Sequence, residues 1–453
     1  MSSRPSIRAR ILLVVSGILL GIALGEVAAR LVGFEYRPHM RNRVYFAEPD
    51  PVRGWRNRSG VSGPYGGDEF LTWVTLNEAG QRGRLHPIER TPGHDRIAIL
   101  GDSQAWGDGV ADDEVFAALL QRDDREVLNF SVIGYGNDQQ LLTLESEVAP
   151  YRPDVVVIAA YLGNDLQDDV TLGTWQFRKP RYRLDDDGSL HLEGVPVEHS
   201  ELLAFGVSVY RAAMRYSALL NAFAESAVDL RPLKPGGRRG WHVRKRPMRS
   251  IYTVPTEGDR LAVRLMVRLL VEAGARAREM GAVPVVLILP EHWQVEAAAD
   301  PEWRAELRAL GIDWRRPQKR LRRELEAAGL VVVDALQPLA RVSRERPGRD
   351  STFYPRWKHL TTVGHRVIAD LLEPRVARLL QREKDGETRQ PQHGVGGADG
   401  REVEIDPARS PEPDGARPHE AADATRGIAE SERPGDDDGA VERDGPGDLE
   451  IAR

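Results

Sequence analysis

The chain has 453 residues, of which 41% are hydrophobic, and a formal net charge of −6 at neutral pH. These values indicate a globular protein with a sizeable core and exclude a fibrous or wholly disordered chain. The sequence has no cysteine, which excludes disulfides, a cysteine nucleophile and thiolate metal sites.

The N-terminal residues predict a helix that targets the chain to a membrane. Arginines at positions 4, 8 and 10 precede an uncharged apolar run over residues 11–24. That run suits the core of a signal peptide and is short for a full span; it extends to residue 31 only by including Glu26 and Arg30. The small residues of "VAAR" at 27–30 resemble a cleavage site, so residues 1–31 are either a retained signal anchor or a cleaved signal peptide. Because the arginines favour a cytoplasmic N-terminus, we expect a protein anchored in the inner membrane and facing the extracytoplasmic side, or an exported one.

Residues 32–93 predict an irregular segment that packs on the main domain. The stretch is rich in Arg, Gly, Pro and aromatic residues, as in "GWRNRSGVSGPYGG". Gly and Pro interrupt regular structure, so we expect only short strand-like pieces such as "FLTWVTL".

Residues 94–383 alternate between apolar strand-like runs and amphipathic helices. The five predicted strands are "RIAIL", "VLNFSVI", "DVVVIAAYL", "VPVVLIL" and "LVVVD". The first helix is predicted over "DDEVFAALLQR", with Asp112 and Asp113 at its start because acidic side chains favour helix N-termini. Strands that are apolar nearly throughout are covered on both faces. The pattern predicts an α/β fold with one doubly wound, five-stranded parallel sheet, in which ligands bind at the carboxyl ends of the strands.

An insertion over residues 166–257 interrupts this alternation. Its "DDDG" lies between two alternating runs and predicts a hairpin, and we expect the insertion to form a cap beside the strand ends. Within it, residues 231–249 hold eight basic residues and no acidic one. That stretch is either a solvated loop or a patch for an anionic polymer or lipid headgroup. We expect no nucleic-acid partner for a domain outside the cell.

Residues 384–453 predict a disordered acidic tail. They contain no aromatic residue, and from residue 385 onward nineteen acidic residues outnumber eight basic ones. Such a stretch cannot bury enough apolar surface to offset its chain entropy. The rest of the chain is mildly basic.

Four short motifs follow predicted strands or precede the last helix, and together they predict an acyl-transfer site. They are "GDS" (101–103), "GYG" (134–136), "GND" (163–165) and "KHLTTVGH" (358–365). Acyl transfer needs a nucleophile, a base and donors for the developing oxyanion. Ser103 is the predicted nucleophile, and His359 is the predicted base because imidazole titrates near neutral pH. The backbone N–H groups of Ser103 and Gly134 and the side-chain amide of Asn164 are the predicted oxyanion donors.

Other polar side chains near these motifs have structural interpretations. We expect Asp102 and Asp165 to bond nearby backbone N–H groups, and His365 to cap or pack the last helix. His292, at the carboxyl end of a strand, is a reserve base, and Trp106 either packs or lines an acyl pocket. No set of His, Asp and Glu residues has metal-ligand spacing, so we expect no metal site.

The order of the motif residues resembles that of the SGNH (GDSL-type) hydrolases. The four residues for which that family is named match Ser103, Gly134, Asn164 and His359. The apolar N-terminus and the "KPRYRL" of the insertion are similar to membrane-anchored bacterial members. The resemblance implies a flavodoxin-like α/β fold and hydrolysis of carboxylic esters without a cofactor. It also implies an acylated small molecule or an envelope glycan as substrate and contact with the membrane through the N-terminal helix, since some members transfer or remove acetyl groups on envelope polysaccharides.

The sequence departs from this family at one position. The family places an acid three residues before the histidine, whereas Arg356 stands there in this chain. A Ser–His pair held by a backbone carbonyl, or an acid from elsewhere, would replace it; Asp350, Asp334 and Glu291 are the alternatives. A third account is a weakened or inactive site, because an orienting carboxylate fixes the histidine tautomer and stabilises the imidazolium.

Three functions therefore compete. The first is a serine esterase that forms an acyl-enzyme on Ser103 with His359 as general base. The second is an O-acyltransferase that uses the same serine on a cell-envelope polysaccharide. The third is a non-catalytic binding protein on the same fold, which the departure at Arg356 supports.

Overall fold

A computed structural model describes residues 6–32, 43–66, 69–174, 177–198, 206, 209, 213, 216–220, 249–346 and 351–385. The predicted disordered tail beyond residue 385, the basic stretch up to residue 248 and Asp350 lie outside the described residues.

The first described element is an apolar helix, Ile7–Leu31, of 25 residues. By length and composition it is able to cross a membrane, and a signal sequence near the N-terminus has the same properties. The carboxylate of Glu26 in its last turns accepts the N–H groups of Ala218 and Leu219 at 2.9 and 3.0 Å and the hydroxyl of Ser217 at 2.8 Å. The end of this helix therefore binds a part of the insertion.

The segment over residues 43–93, here called the N-terminal segment, is built from two hairpins. A one-turn helix (Arg43–Phe46) leads into β1 (Ala47–Asp50), which pairs antiparallel with β2 (Gly54–Asn57). Strand β3 (Ser62–Gly66) pairs antiparallel with β4 (Leu71–Thr75). Side chains of this segment form one apolar cluster with Trp106 of the main sheet domain; they are Phe46, Val61, Tyr65, Val74 and Leu76. The segment thus packs beside the residues that follow the first strand of the main sheet.

The main sheet has five parallel strands, as predicted. They are β5 (Asp95–Leu100), β6 (Arg125–Asn129), β7 (Val155–Tyr161), β12 (Val283–Leu289) and β13 (Val331–Asp334). Their order across the sheet is β13-β12-β7-β5-β6, all pairs being parallel. Counted along the chain this is the 2-1-3-4-5 order of the flavodoxin-like, doubly wound fold. The predicted fold class is confirmed.

The sheet separates two apolar layers, which explains the continuous apolar runs of its strands. Successive side chains of a strand point to opposite faces. In β7, Val156, Ile158 and Ala160 contribute to one layer, and Val155, Val157, Ala159 and Tyr161 to the other. All seven residues are buried.

Helices cover both faces of the sheet. The first layer packs against Asn137–Thr143, Glu257–Glu279, Pro301–Ala309 and Arg316–Ala327. The second packs against Phe116–Leu119, Leu336–Glu345 and Thr362–Lys384. His292–Ala299 contributes to both layers, Trp293 and Ala297 to the first and Val295 and Ala298 to the second.

The helix predicted over "DDEVFAALLQR" is much shorter than expected. Only Phe116–Leu119 is helical. The carboxylate of Asp112 instead accepts the Nε–H of Arg82 at 2.9 Å and the backbone N–H of Thr75 at 2.9 Å. The acid expected to start the helix therefore binds the N-terminal segment.

The described part of the insertion contains the predicted hairpin. Short strands β8 (Gly173–Thr174) and β9 (Phe177–Arg178) precede β10 (Arg181–Leu184) and β11 (Leu190–Glu193), which pair antiparallel around "DDDG". Leu184, Leu190 and Tyr182 pack against the first apolar layer of the sheet, and the Arg268 guanidinium donates to the Gly188 carbonyl at 3.1 Å. The hairpin therefore lies along the helices of that layer.

Candidate active site

Ser103 lies in a tight turn at the carboxyl end of β5. The turn opens the short helix Ser103–Trp106, and the Asp102 carboxylate caps it by accepting the Gln104 N–H at 2.9 Å. A Cβ at Gly101 would lie 2.5 Å from the Cβ of Ala105 and 3.1 Å from that of Ala159, so only glycine fits there. Gly107, with φ of +92°, ends the helix after one turn. The "GDS" residues thus place the serine hydroxyl at the edge of the sheet where ligands bind in such folds.

The His359 loop is tied to the turn that carries Ser103. The Gln104 side chain donates to the Lys358 carbonyl at 3.2 Å and accepts the Leu360 N–H at 3.0 Å. Lys358 has a φ of +68°, which side-chain-bearing residues rarely adopt. Its N–H donates to the Tyr354 carbonyl at 3.0 Å. The loop before His359 is therefore a closed turn fixed on both sides of the histidine.

The structure brings Ser103 and His359 into hydrogen-bond contact. The Ser103 hydroxyl lies 2.9 Å from the Nε2 of His359, and the Nδ1 of the same ring lies 3.0 Å from the carbonyl oxygen of Trp357. A carbonyl oxygen only accepts, so Nδ1 carries the proton and Nε2 offers its lone pair to the serine hydroxyl. This tautomer is the one that a general base needs in order to take the serine proton.

The Trp357 carbonyl binds the His359 Nδ1, where the family resemblance implies a carboxylate. Arg356, which stands in the place of that acid, donates its backbone N–H to the Glu69 carboxylate at 2.9 Å, and Trp357 donates to the same oxygen at 2.6 Å. Glu69 precedes strand β4 of the N-terminal segment. The turn that aims the Trp357 carbonyl at His359 is therefore held by a residue far away in the sequence.

The described acids that the sequence offered as alternatives bind other groups. Asp334 ends strand β13, accepts the Leu336 N–H at 2.9 Å and pairs with the Arg322 guanidinium at 3.3 Å. Glu291 is buried and accepts the Tyr252 hydroxyl at 2.8 Å.

Asp108 is a carboxylate of the site that the sequence reasoning missed. Its Oδ2 lies 3.7 Å from the His359 Nε2, and its side chain is fully buried. Its Oδ1 accepts the indole N–H of Trp357 at 2.8 Å. The only signal in the sequence is a second Gly-Asp, six residues after the first in "GDSQAWGDG".

Arg82 of the N-terminal segment shapes the loop that carries Asp108. Its guanidinium donates to the carbonyls of Trp106, Gly107 and Val110 at 2.9, 2.5 and 2.5 Å. It also lies over the Trp106 ring, 4.4 Å from the centroid. The Arg82 side chain is 1% exposed, so the loop folds around a buried cation.

Gly134 and Asn164 follow the neighbouring strands of the sheet. Gly134 has a φ of +80°, which glycine adopts without strain. The Asn164 side chain donates to the Asp168 carboxylate at 2.6 Å. Asp168 therefore fixes the orientation of the carboxamide through one of its N–H groups.

Asp102, Asp165 and Asp168 form a buried set of acids next to the serine turn and Asn164. Burial raises the pKa of Asp102 to about 7, and the nearby charge of Asp168 adds to the increase. Burial likewise raises the pKa of Asp168 to about 6. Asp165 accepts the Tyr161 N–H at 2.9 Å, the kind of backbone contact expected of it. Within the described residues no group of three or more His, Asp or Glu side chains is arranged to hold a metal ion.

The second histidine of "KHLTTVGH" is a packing residue. His365 is fully buried, its ring stacks on Phe116 at 5.8 Å, and its Nδ1 accepts the Phe116 N–H at 3.3 Å. Burial lowers its pKa to about 3, with a further contribution from the Arg82 charge. The His365 ring therefore stays neutral at physiological pH. Trp106 is also fully buried and packs in the cluster of the N-terminal segment.

Comparisons with known proteins give structural likenesses only. No family model and no curated protein matches the chain. The structure called TesA is similar at 14% identity and a TM-score of 0.32, over 63% of this chain and 99% of that one. A GDSL-like lipase from Bacteroides thetaiotaomicron is similar at 12% identity and a TM-score of 0.31, over 63% of this chain and 88% of that one. A lipase/acylhydrolase from Enterococcus faecalis is similar at 15% identity and a TM-score of 0.29, over 62% of this chain and 95% of that one.

The order of the sheet and the position of the motifs agree with one another. The serine turn follows the first strand of the 2-1-3-4-5 sheet, Gly134 and Asn164 follow the next two strands, and His359 precedes the last helix. With this strand order and these residues around its carboxyl edge, the chain has a flavodoxin-like, doubly wound α/β fold whose site residues follow the order of the motifs.

Proposed function

We propose that the protein is a serine esterase that hydrolyses carboxylic (O-acyl) esters through an acyl-enzyme on Ser103, with His359 as general base. One observation carries the proposal. The Ser103 hydroxyl lies 2.9 Å from the His359 Nε2 while the Trp357 carbonyl holds Nδ1 at 3.0 Å. A hydroxyl on a strand-end turn, a base in contact with it and a group that fixes the base are the parts of an activated nucleophile.

In the first half of the reaction, the Ser103 oxygen attacks the ester carbonyl carbon. Its proton passes to the His359 Nε2 as the new C–O bond forms, which leaves an imidazolium and a tetrahedral oxyanion. When the ester C–O bond breaks, Nε2–H gives that proton to the leaving alkoxide. The Trp357 carbonyl keeps its bond to Nδ1–H throughout, because Nδ1 is protonated in both forms of the ring.

In the second half, a water molecule replaces the alcohol. The His359 Nε2 takes a proton from this water as its oxygen attacks the acyl carbon, and returns a proton to the Ser103 oxygen when the acyl–serine bond breaks. The acid leaves and the serine–histidine hydrogen bond forms again. No cofactor is required by these steps.

The oxyanion would be bound by the N–H groups of Ser103 and Gly134 and the side-chain amide of Asn164. Donors already aimed at the place where charge develops stabilise the transition state without further reorganisation. The left-handed φ of Gly134 lets its backbone come close to a bound acyl group. The bond from Asn164 to Asp168, at 2.6 Å, supports a role in which that carboxyl group fixes the orientation of the amide.

Two alternatives use the same fold. An O-acyltransferase on a cell-envelope polysaccharide would form the same acyl-enzyme and pass the acyl group to a sugar hydroxyl in place of water. The non-catalytic alternative was supported by Arg356, which stands where an orienting acid is expected. The Trp357 carbonyl weakens that support because it orients the His359 ring through Nδ1. Hydrolysis needs no acceptor other than water, and for that reason we propose the esterase.

The proposed setting is the outer side of the inner membrane, or the exported state. The helix Ile7–Leu31 supports membrane contact, and the binding of Glu26 to the insertion supports a retained anchor over a cleaved signal peptide. The proposed substrate is an acylated small molecule or an envelope glycan. The mass of the membrane-bound protein distinguishes these alternatives: a retained anchor keeps residues 1–30, and a signal peptide cleaved within residues 27–30 is absent.

The test is ester turnover together with labelling by a fluorophosphonate probe. Ser103→Ala is expected to abolish turnover of p-nitrophenyl acetate and labelling, and His359→Ala to reduce both by at least about a hundredfold. Ser131→Ala is the matched control, since Ser131 is also a buried serine next to a strand of the same sheet. Wild-type turnover by Ser103→Ala would rule the mechanism out, and acyl transfer to added oligosaccharide in excess of hydrolysis would favour the transferase.

A further inference from the structure

When His359 takes up the serine proton, its ring becomes positively charged. The group that orients the ring does not balance this charge. In the usual triad a carboxylate on Nδ1 both orients the ring and stabilises the imidazolium. Here Nδ1 is bound to the Trp357 carbonyl. A carbonyl fixes the ring but carries no net charge.

One carboxylate faces the other side of the ring. Asp108 Oδ2 lies 3.7 Å from Nε2, which is the atom that receives the serine proton. The Asp108 side chain is fully buried, and the charge therefore acts with little screening by solvent.

Contacts of Asp108 itself and of the residues on either side of it hold Asp108 in position. Its backbone N–H donates to the Ser103 carbonyl at 3.0 Å, and its Oδ1 accepts the Trp357 indole N–H at 2.8 Å. Arg82 binds the carbonyls on both sides of it, at Gly107 and Val110. Asp108 thus sits between the nucleophile turn and the residue that orients the base.

From this arrangement we propose that Asp108 is the residue that stabilises the His359 imidazolium, so that the two roles of the usual acid are divided between the Trp357 carbonyl and the Asp108 carboxylate. The inference rests on the proposed esterase function. The serine proton moves to Nε2 and then to the leaving alkoxide, and none is transferred to Asp108. Its contribution is largest when Nε2 is protonated, which is the state formed in the transition state.

The other charged groups around the ring do not duplicate this role. Asp102 lies behind Ser103, its Oδ2 3.5 Å from the serine oxygen. Glu69 binds the backbone of the loop. Arg82 faces Asp108 and His365 and carries the opposite sign, and Lys358 donates its ammonium to the Pro355 carbonyl.

Asp108→Asn is the direct test, because asparagine keeps an oxygen for the Trp357 indole and removes the charge. We expect kcat/KM for p-nitrophenyl acetate to fall by about ten- to a hundredfold, with most of the change in kcat. A neighbouring negative charge favours the protonated imidazole, so its removal should move the acidic limb of the pH–rate profile down by about one pH unit.

Two further variants separate charge from structure. Asp113→Asn removes an exposed carboxylate from the same loop; its kcat/KM should stay within about twofold of wild type. Trp357→Phe keeps the backbone carbonyl but removes the indole N–H to Asp108, and is expected to leave the acidic limb in its wild-type position. A shift of that limb in Trp357→Phe equal to the one in Asp108→Asn would overturn the inference.

The outcomes also separate this inference from the proposed function. If Ser103→Ala is inactive while Asp108→Asn has wild-type kcat/KM and an unshifted acidic limb, Asp108 is not the stabilising group and the esterase stands. If Ser103→Ala keeps wild-type turnover, the proposed function itself fails. If Asp108→Asn does not unfold cooperatively as the wild type does, Asp108→Glu is the variant to measure. An acidic limb of its pH–rate profile at the wild-type pH supports the role of the charge, and an acidic limb at lower pH refutes it.

Discussion

Replacing Glu69 by alanine removes the acceptor for two backbone N–H groups of the loop that orients His359. One of these bonds, to Trp357, is half-buried at 2.6 Å, and the other, to Arg356, is exposed at 2.9 Å. A hydrogen bond to a charged group contributes about 1.5–3 kcal/mol, less where solvent replaces it. We take about 2 kcal/mol for the pair, most of it from the half-buried bond.

If these two hydrogen bonds keep the Trp357 carbonyl on the His359 Nδ1, losing them should lower the rate of catalysis. About 2 kcal/mol corresponds to a decrease of roughly thirtyfold in kcat/KM. We expect KM to change little, because Glu69 binds the backbone of the His359 loop and not the acyl group. Hydrolysis of p-nitrophenyl acetate by Glu69→Ala measures the decrease. Urea unfolding measures how much of the same energy is lost from the folded state.

Glu48→Ala is the matched control for this experiment. Glu48 lies in β1 of the same N-terminal segment and forms an exposed pair with Arg56 at 2.8 Å. Exposed pairs contribute at most about 1 kcal/mol, so activity should not change. A Glu69→Ala enzyme with kcat/KM within twofold of wild type would refute the view that the N-terminal segment positions the histidine.

Three further predictions concern the free energy of unfolding. Arg82→Met leaves three loop carbonyls and Asp112 without their buried cation and should destabilise the protein by about 3–5 kcal/mol in urea. Gly101→Ala places a Cβ 2.5 Å from that of Ala105 and should lose about 1–3 kcal/mol together with most of the esterase activity. The Asp102 carboxyl, whose pKa burial raises from 3.8 to about 7, binds its proton more tightly in the folded state. The contribution of this group to stability should therefore be lost as pH rises from about 4 to about 7, and the stability difference between wild type and Asp102→Asn in urea should change over the same range.

The sequence predicts the sheet well because each strand is buried on both faces and is therefore apolar throughout. Four of the five predicted strands lie within about one residue of the observed ones. The second starts two residues earlier than predicted, at Arg125, and ends at Asn129. The apolar residues after Asn129 continue beside the serine turn, where Val132 donates to the Gly101 carbonyl at 3.1 Å.

The motif residues were predictable because each follows a strand or precedes a helix. Ser103 and His359 are 256 positions apart, yet the topology of the sheet brings both to one edge. Asp108, Glu69 and Arg82 were not predictable, since nothing local distinguishes them from other charged loop residues. Their roles arise from contacts across 24 to 288 positions, which a periodic pattern does not record.

The hairpins before the first strand of the sheet also bear on how the protein should be produced. A fragment starting at Asp95 keeps the serine, the glycine, the asparagine and the histidine, and it looks complete by its motifs. It lacks Arg82 and Glu69, however, which hold the Asp108 loop and the Trp357 turn. We expect such a fragment to form the sheet and yet present a disassembled catalytic pair, so the smallest active unit should begin near Arg43 and not at the boundary that the motifs suggest.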